Sequence, residues 1–169
     1  KNEQLYYYLA DTYVYNNDLL KAIDVYDQLE EKKGLEKTIS MQKYKMHMQL
    51  QNKKNAIKEL LKVTNKYPED IEVLEILSET YLLNNEKEKA FDVFKKLAVI
   101  DPGNGRIHLT LADFYREKGE NSKSFEELKL AFKSPKIGVD VKVSILASYF
   151  QLLEINTKMR GQADTLVKL

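Results

Sequence analysis

Cysteine is absent from the 169 residues, which excludes disulfide frameworks, thiolate zinc sites and cysteine nucleophiles together. Proline occurs three times and glycine six times, too sparsely for a disordered or loop-dominated chain. Charge of one sign is not in excess either: 27 Lys and Arg face 26 Asp and Glu, for a formal net charge of +1. Nucleic-acid binders and polybasic membrane modules draw on surplus positive charge, so neither class is expected. No apolar run approaches the roughly 18 to 20 residues of a membrane span, so direct membrane insertion is not expected. The passage from Val143 to Leu153 is interrupted by Ser144, Ser148, Tyr149 and Gln151. With 31% charged and 43% hydrophobic residues, the balance is that of a folded, helical chain.

What is present is a period. Ala22, Ala56 and Ala90 are spaced 34 apart, and the next step lands on Ser124. Tyr13, Tyr81, Tyr115 and Tyr149 share a second comb of that spacing, with His47 in the remaining place. Tyr26, Leu60, Phe94 and Leu128 form a third, and Leu29, Val63, Leu97 and Ala131 a fourth. Pro68 and Pro102 close successive periods, with Gly34 one period earlier and Pro135 one residue out of step. Combs that agree in period mark an internal repeat.

Inside each period the apolar spacing is helical. Leu5, Leu9, Thr12 and Tyr13 follow one helix face, and Ile23, Tyr26 and Leu29 a second. A polar break separates them, Asn16-Asn17-Asp18, and recurs at Gln51-Asn52, Asn84-Asn85 and Lys118 to Asn121, where Asn or Asp side chains can cap the next helix. Tyr67-Pro68-Glu69-Asp70 and Asp101-Pro102-Gly103-Asn104 read as turns between units, since proline suits a boundary. Small residues near the start of each second helix let the paired axes approach closely.

These residues resemble the tetratricopeptide repeat family, whose units are helix-turn-helix pairs of this length. The third unit fits best, with Leu77-Ser78, Tyr81, Ala90, Phe94 and Pro102. The first (Tyr6, Leu9-Ala10, Tyr13, Ala22, Tyr26) and fourth (Leu111-Ala112, Tyr115, Ser124, Pro135) also fit. The second departs at Lys43-Tyr44 and His47, yet keeps Ala56 and Pro68 in register. The resemblance implies an all-α, right-handed superhelical solenoid of antiparallel helix pairs over residues 1–169. Its repeats fall at about 3–36, 37–70, 71–104 and 105–138, with a divergent or truncated fifth over 139–169. About five extra residues are expected there around Ile155-Asn156-Thr157-Lys158, because Ala163 lies 39 beyond Ser124, followed by a short helix from Gln162 to Leu169.

In such a solenoid the first helices line the concave side. Their outward positions are Tyr7, Asp11, Val14 and Tyr15; Met41, Lys45 and Met48; Glu75, Glu79 and Leu82; Leu109, Asp113 and Arg116; and Val143, Ala147 and Phe150. The family's known clamp for a C-terminal carboxylate uses Lys, Asn and Arg. The matching places here hold Asp11, Glu79 and Asp113, with only Lys45 basic, so the clamp is not carried over. The expected guest is a basic or amphipathic helical peptide anchored on the Tyr and Met side chains. The alternative is a row of solvated charges with no ligand.

No catalytic constellation emerges, and no cofactor or metal is expected. His47 sits on the Tyr comb and reads as a packed, hydrogen-bonded residue; His108 lies two units away; and Glu30-Glu31 and Glu126-Glu127 read as solvated surface. Gly103-Asn104-Gly105 lacks a phosphate-cradling pattern. The start at Lys1 and the uncapped ADTLVKL end lead to the expectation of a fragment of a longer chain. The function expected is that of a non-catalytic protein-interaction scaffold. The alternative is an assembly module that stacks through its terminal helices on further repeats or another copy. Zero cysteine with abundant Asn and Lys leans to a periplasmic or cell-envelope protein over a cytoplasmic one.

Overall fold

The structure is a computed structural model that describes residues 3–152 and 157–169. Those residues form ten helices and no strand: α1 Glu3–Tyr15, α2 Leu19–Lys33, α3 Lys37–Gln49, α4 Lys53–Lys66, α5 Ile71–Leu83, α6 Lys87–Ile100, α7 Gly105–Glu117, α8 Asn121–Lys133, α9 Val139–Leu152 and α10 Thr157–Val167. The chain divides into two compact units, residues 1–90 and 91–169.

In the first unit α1 packs on α2 and α3 on α4, while α2 also meets α3 and α4 meets α5. Ala22, Ala56 and Ala90 are fully buried, as the need for close helix approach requires. In the second unit α7 packs on α8 and α9 on α10. Ser124, at the small-residue position of α8, buries its hydroxyl by donating to the Ala112 carbonyl at 2.7 Å.

The turn inside each period repeats in its backbone geometry. Asn17, Gln51, Asn85 and Gly119, each 34 residues from the last, hold φ of 60°, 56°, 58° and 74°. The next amide reaches back five residues: Asp18 to the Tyr13 carbonyl, Asn52 to His47, Glu86 to Tyr81 and Glu120 to Tyr115, at 2.8 to 2.9 Å. One left-handed residue thus satisfies the end of the first helix and reverses the chain. Side-chain capping, expected from the sequence at these breaks, is present at Asn52, whose side chain accepts from the Asn55 amide at 3.2 Å. At Asp18 and Glu120 there is no side-chain cap bond. The recurring device is backbone geometry.

The turn before α7 needs glycine for a different reason. A Cβ on Gly105 would lie 2.5 Å from Ile137 and 2.7 Å from Ser134 Cβ. The Gly105 amide donates to Ser134 Oγ, which itself donates to the Gly103 carbonyl at 2.8 Å.

The extra residues expected near Ile155 begin within 153–156, outside the described residues. The last helix differs from expectation: α10 starts at Thr157, not Gln162, because Lys158-Met159-Arg160 are good helix formers ahead of Gly161. Ala163 and Leu166 are its buried positions.

Of the four left-handed residues, Gln51 is the one that is neither Gly nor Asn. Gln51→Gly is expected to stabilise the fold by about 1 kcal/mol, read as a higher urea midpoint at unchanged slope. A lower midpoint would contradict the turn described.

Candidate functional site

A helix whose first-turn side chains are drawn into a core leaves its opposite side to solvent, and that side is where the sequence places the ligand row. In α1, Asp11, Val14 and Tyr15 are exposed, Tyr15 to 91%. Tyr7 is committed differently. Its ring meets Tyr26 edge-on at 6.1 Å and its hydroxyl donates to Glu36 at 3.4 Å, so it serves the core as well as the surface. In α3, Lys45 is exposed while Met41 and Met48 are half-buried; in α5, Glu75, Glu79 and Leu82 are exposed. Met48 also lines an open cavity of about 590 Å³ with Gln51, Asn52, Lys53, Lys54 and Asn84. In the second unit, Leu109 is half-buried, and Asp113 and Arg116 are exposed and pair with each other at 2.7 Å. Val143 and Ala147 are exposed; the side chain of Phe150 lies outside the described residues.

Beneath this row, the departures of the second repeat prove to be one structure. Lys43 occupies the place held by Leu9, Leu77 and Leu111 in the other units, and it is 1% exposed. Its ammonium reaches Asp27 at 2.5 Å, Glu30 at 2.9 Å and Glu59 at 3.2 Å. Lys62 closes the cluster from the rim, 3.1 Å from Glu30 and 3.0 Å from Glu59. Burial disfavours the Lys43 charge, but hydrogen bonds to Asp27 and Glu30 and the field of Glu59 outweigh it, and its pKa lies above the ordinary lysine value. Burial pushes Glu30 up, but hydrogen bonds from Lys43 and Lys62 hold it below the usual carboxylate value. Tyr44, bulky where the pattern wants a small residue, places its hydroxyl 3.2 Å from Thr80 Oγ1.

Glu30 is therefore not the solvated acid the sequence suggested; it is ion-paired in a half-buried setting because Lys43 needs counter-charge. Glu127 is not simply solvated either: its carboxylate lies 2.6 Å from His108 Nδ1. His108 Nε2 lies 3.0 Å from the Pro102 carbonyl, which can only accept, so this nitrogen carries a proton. His108 ties α7 to α8 and to the preceding turn.

His47 is buried as expected, but Nδ1 has no hydrogen-bond partner. Burial pushes its pKa below 6.5, with Lys43 adding to the shift and Glu59 opposing it. Sequence reading missed the cluster, although one signal was present: Lys43 is the single charged tooth on an otherwise apolar comb. Among the described residues, no group of three His, Asp or Glu side chains is placed to hold a metal, and no helix is long and apolar enough to cross a membrane.

No protein-family model and no curated protein matches the chain. Among solved structures it is similar to MamA. One crystal structure of MamA protein matches at 19% identity with a TM-score of 0.59, over 99% of this chain and 87% of that one. Another matches at 19% identity and a TM-score of 0.56, over 94% and 88%. A third, MamA MSR-1 C2, matches at 16% identity and a TM-score of 0.59, over 99% and 97%. At these identities the likeness is one of fold, and it bears out the all-α helical-repeat architecture expected from the combs.

Because the His47 pKa is depressed on folding, the unfolded chain takes its proton first as pH falls below 6.5. Stability held above that value is then lost. His47→Tyr, which restores the comb residue, is expected to lose less stability than the parent between about pH 7.5 and about pH 5.5 in urea titrations. Equal losses would show that His47 does not titrate in the fold.

Proposed function

We propose that the chain is a non-catalytic protein-interaction module that binds a polypeptide segment along the outward side of its first helices. The observation that supports this most is the composition of that side in residues 1–90: Tyr15, Leu82, Met41 and Met48 offer apolar contact, and Asp11, Glu75 and Glu79 are exposed acids beside them. Met and Tyr adapt to a partner's shape, while acids favour a guest carrying Lys or Arg. A basic amphipathic helix meets both requirements.

Lys43, Glu30 and Glu59 are engaged in ion pairs that join helices, and His108 in a hydrogen-bonding contact with Glu127 that does the same. Those contacts support a structural role for the groups a catalytic reading would draw on first. The open row, by contrast, includes Asp11, Tyr15, Lys45, Glu75, Glu79 and Leu82, which the fold leaves facing water.

Tyr7 is a poor probe of this surface, since removing it also removes the contact with Tyr26. Tyr15→Ala, Met48→Ala and Glu79→Lys are better. Captured from extract and then titrated individually, a partner using this side is expected to bind Glu79→Lys at least about tenfold more weakly, a change of about 1.4 kcal/mol. Partners that all keep parental affinity for the three variants would refute the reading.

A further inference from the structure

The second repeat departs from the others in surface charge as well as in its core. Three positions of the 34-residue period carry an acid in the first, third and fourth repeats: Asp11, Glu79 and Asp113; Asp18, Glu86 and Glu120; and Asp24, Asp92 and Glu126. In the second repeat those positions hold Lys45, Asn52 and Lys58. The middle set immediately precedes each second helix, and there a lysine three residues on answers the acid. Asp18 pairs with Lys21 at 2.9 Å, Glu120 with Lys123 at 2.5 Å, and Glu86 with Lys89 in the same way. The second repeat has Asn52 and Asn55 in place of this pair, with Lys53 and Lys54 between them.

The open cavity of about 590 Å³ is lined by this turn, by Met48 before it and by Asn84 from the next repeat. Its volume lies within the roughly 300 to 1,000 Å³ of ligand clefts. Among the described residues, no carboxylate lines it. Lys53 is held by donating to the Leu83 carbonyl at 2.7 Å, a contact that leaves its charge uncancelled. Lys54 is exposed, and neither lysine belongs to an ion pair among the described residues. The Asn52 side-chain oxygen accepts from the Asn55 amide, so its NH2 group remains as a donor. Asn84 donates to Glu86, whose charge Lys89 already answers. Leu50 and Leu83, the residues just before Gln51 and Asn84, are 37% and 57% exposed. Lys45 lies about one helical turn before Met48 and Lys58 one turn after Lys54, both exposed, and they extend the positive field.

Two cations and an amide donor with no acid among them favour negative charge, while a thioether and two exposed leucines favour an apolar neighbour. We propose that this cavity receives a pair of acidic side chains, flanked by apolar ones, from a segment of a partner protein. Two carboxylates match the two ammonium groups, where one would leave a charge unbalanced. The site does not rest on the basic guest proposed for the outward row, since it asks for the opposite charge. Met48 belongs to both surfaces, so the variants that separate them are at Asn52 and Lys54.

The test uses the whole chain, isotope-labelled for amide NMR, and two capped tetrapeptides, Leu-Glu-Glu-Leu and Leu-Gln-Gln-Leu, at low salt. The acidic peptide is expected to shift the side-chain NH2 signals of Gln51 and Asn52 and the amides around them. The equivalent turns at 16–19 and 118–121 are expected to stay unmoved. Asn52→Asp restores the acid of the other repeats and still accepts from the Asn55 amide, so it should fold as the parent does. It is expected to weaken the acidic peptide by at least about threefold, as is Lys54→Glu, on the scale of exposed ion pairs. Absence of any shift at millimolar acidic peptide would overturn the proposal, as would equal shifts with the glutamine peptide or parental affinity in both variants. Inorganic phosphate binding the turn as tightly as the acidic peptide would also overturn it, by making the cavity an adventitious anion site.

Discussion

A pair of short helices joined by a tight turn has more apolar surface than it can bury in itself. Each first helix uses one side against its own partner and must find cover for another. Here that cover comes from the second helix of the unit before, and it does so for α3, α5 and α7. Everything else follows from this constraint. The small residues at 22, 56, 90 and 124 set how closely the two helices of a unit approach. The left-handed residues at 17, 51, 85 and 119 set the turn that brings them together. The side of the first helices that is left over is the one proposed to bind a partner.

The second repeat shows how far the contact can vary without losing its register. Replacing a comb leucine by Lys43 would be ruinous alone, because an unpaired buried ammonium is costly. The flanking second helices answer with Asp27 and Glu30 from one side and Glu59 from the other. A nondirectional apolar contact has become a directional one. A slip of the helices would separate these charges, which penalises other registers at this joint.

The architecture was legible because it is periodic. Ala22, Ala56 and Ala90 recur with a spacing that only one packing explains, and they are buried where that packing puts them. The exposure of the outward row was legible in part: Asp11, Lys45, Glu75, Glu79 and Asp113 are exposed where their helix positions put them, while Tyr7 is drawn onto Tyr26 and Met41, Met48 and Leu109 are half-buried. The cluster around Lys43 was not, because Asp27, Glu30 and Glu59 meet it only when three helices converge, and no comb links acids in different helices. The His108–Glu127 contact was hidden likewise, joining α7 to α8 across 19 residues. The left-handed turn was half legible: Asn17, Asn85 and Gly119 suit it, while Gln51 disguises the pattern.

The claim that cover from the preceding unit holds the array together is tested most directly by truncating one comb position in two units. Leu77, 2% exposed, and Leu9, 45% exposed, hold the same place in their repeats. Leu77→Ala is expected to cost about 2 to 5 kcal/mol in urea unfolding, and Leu9→Ala less than about 1 kcal/mol. Equal costs at the two positions would contradict the account.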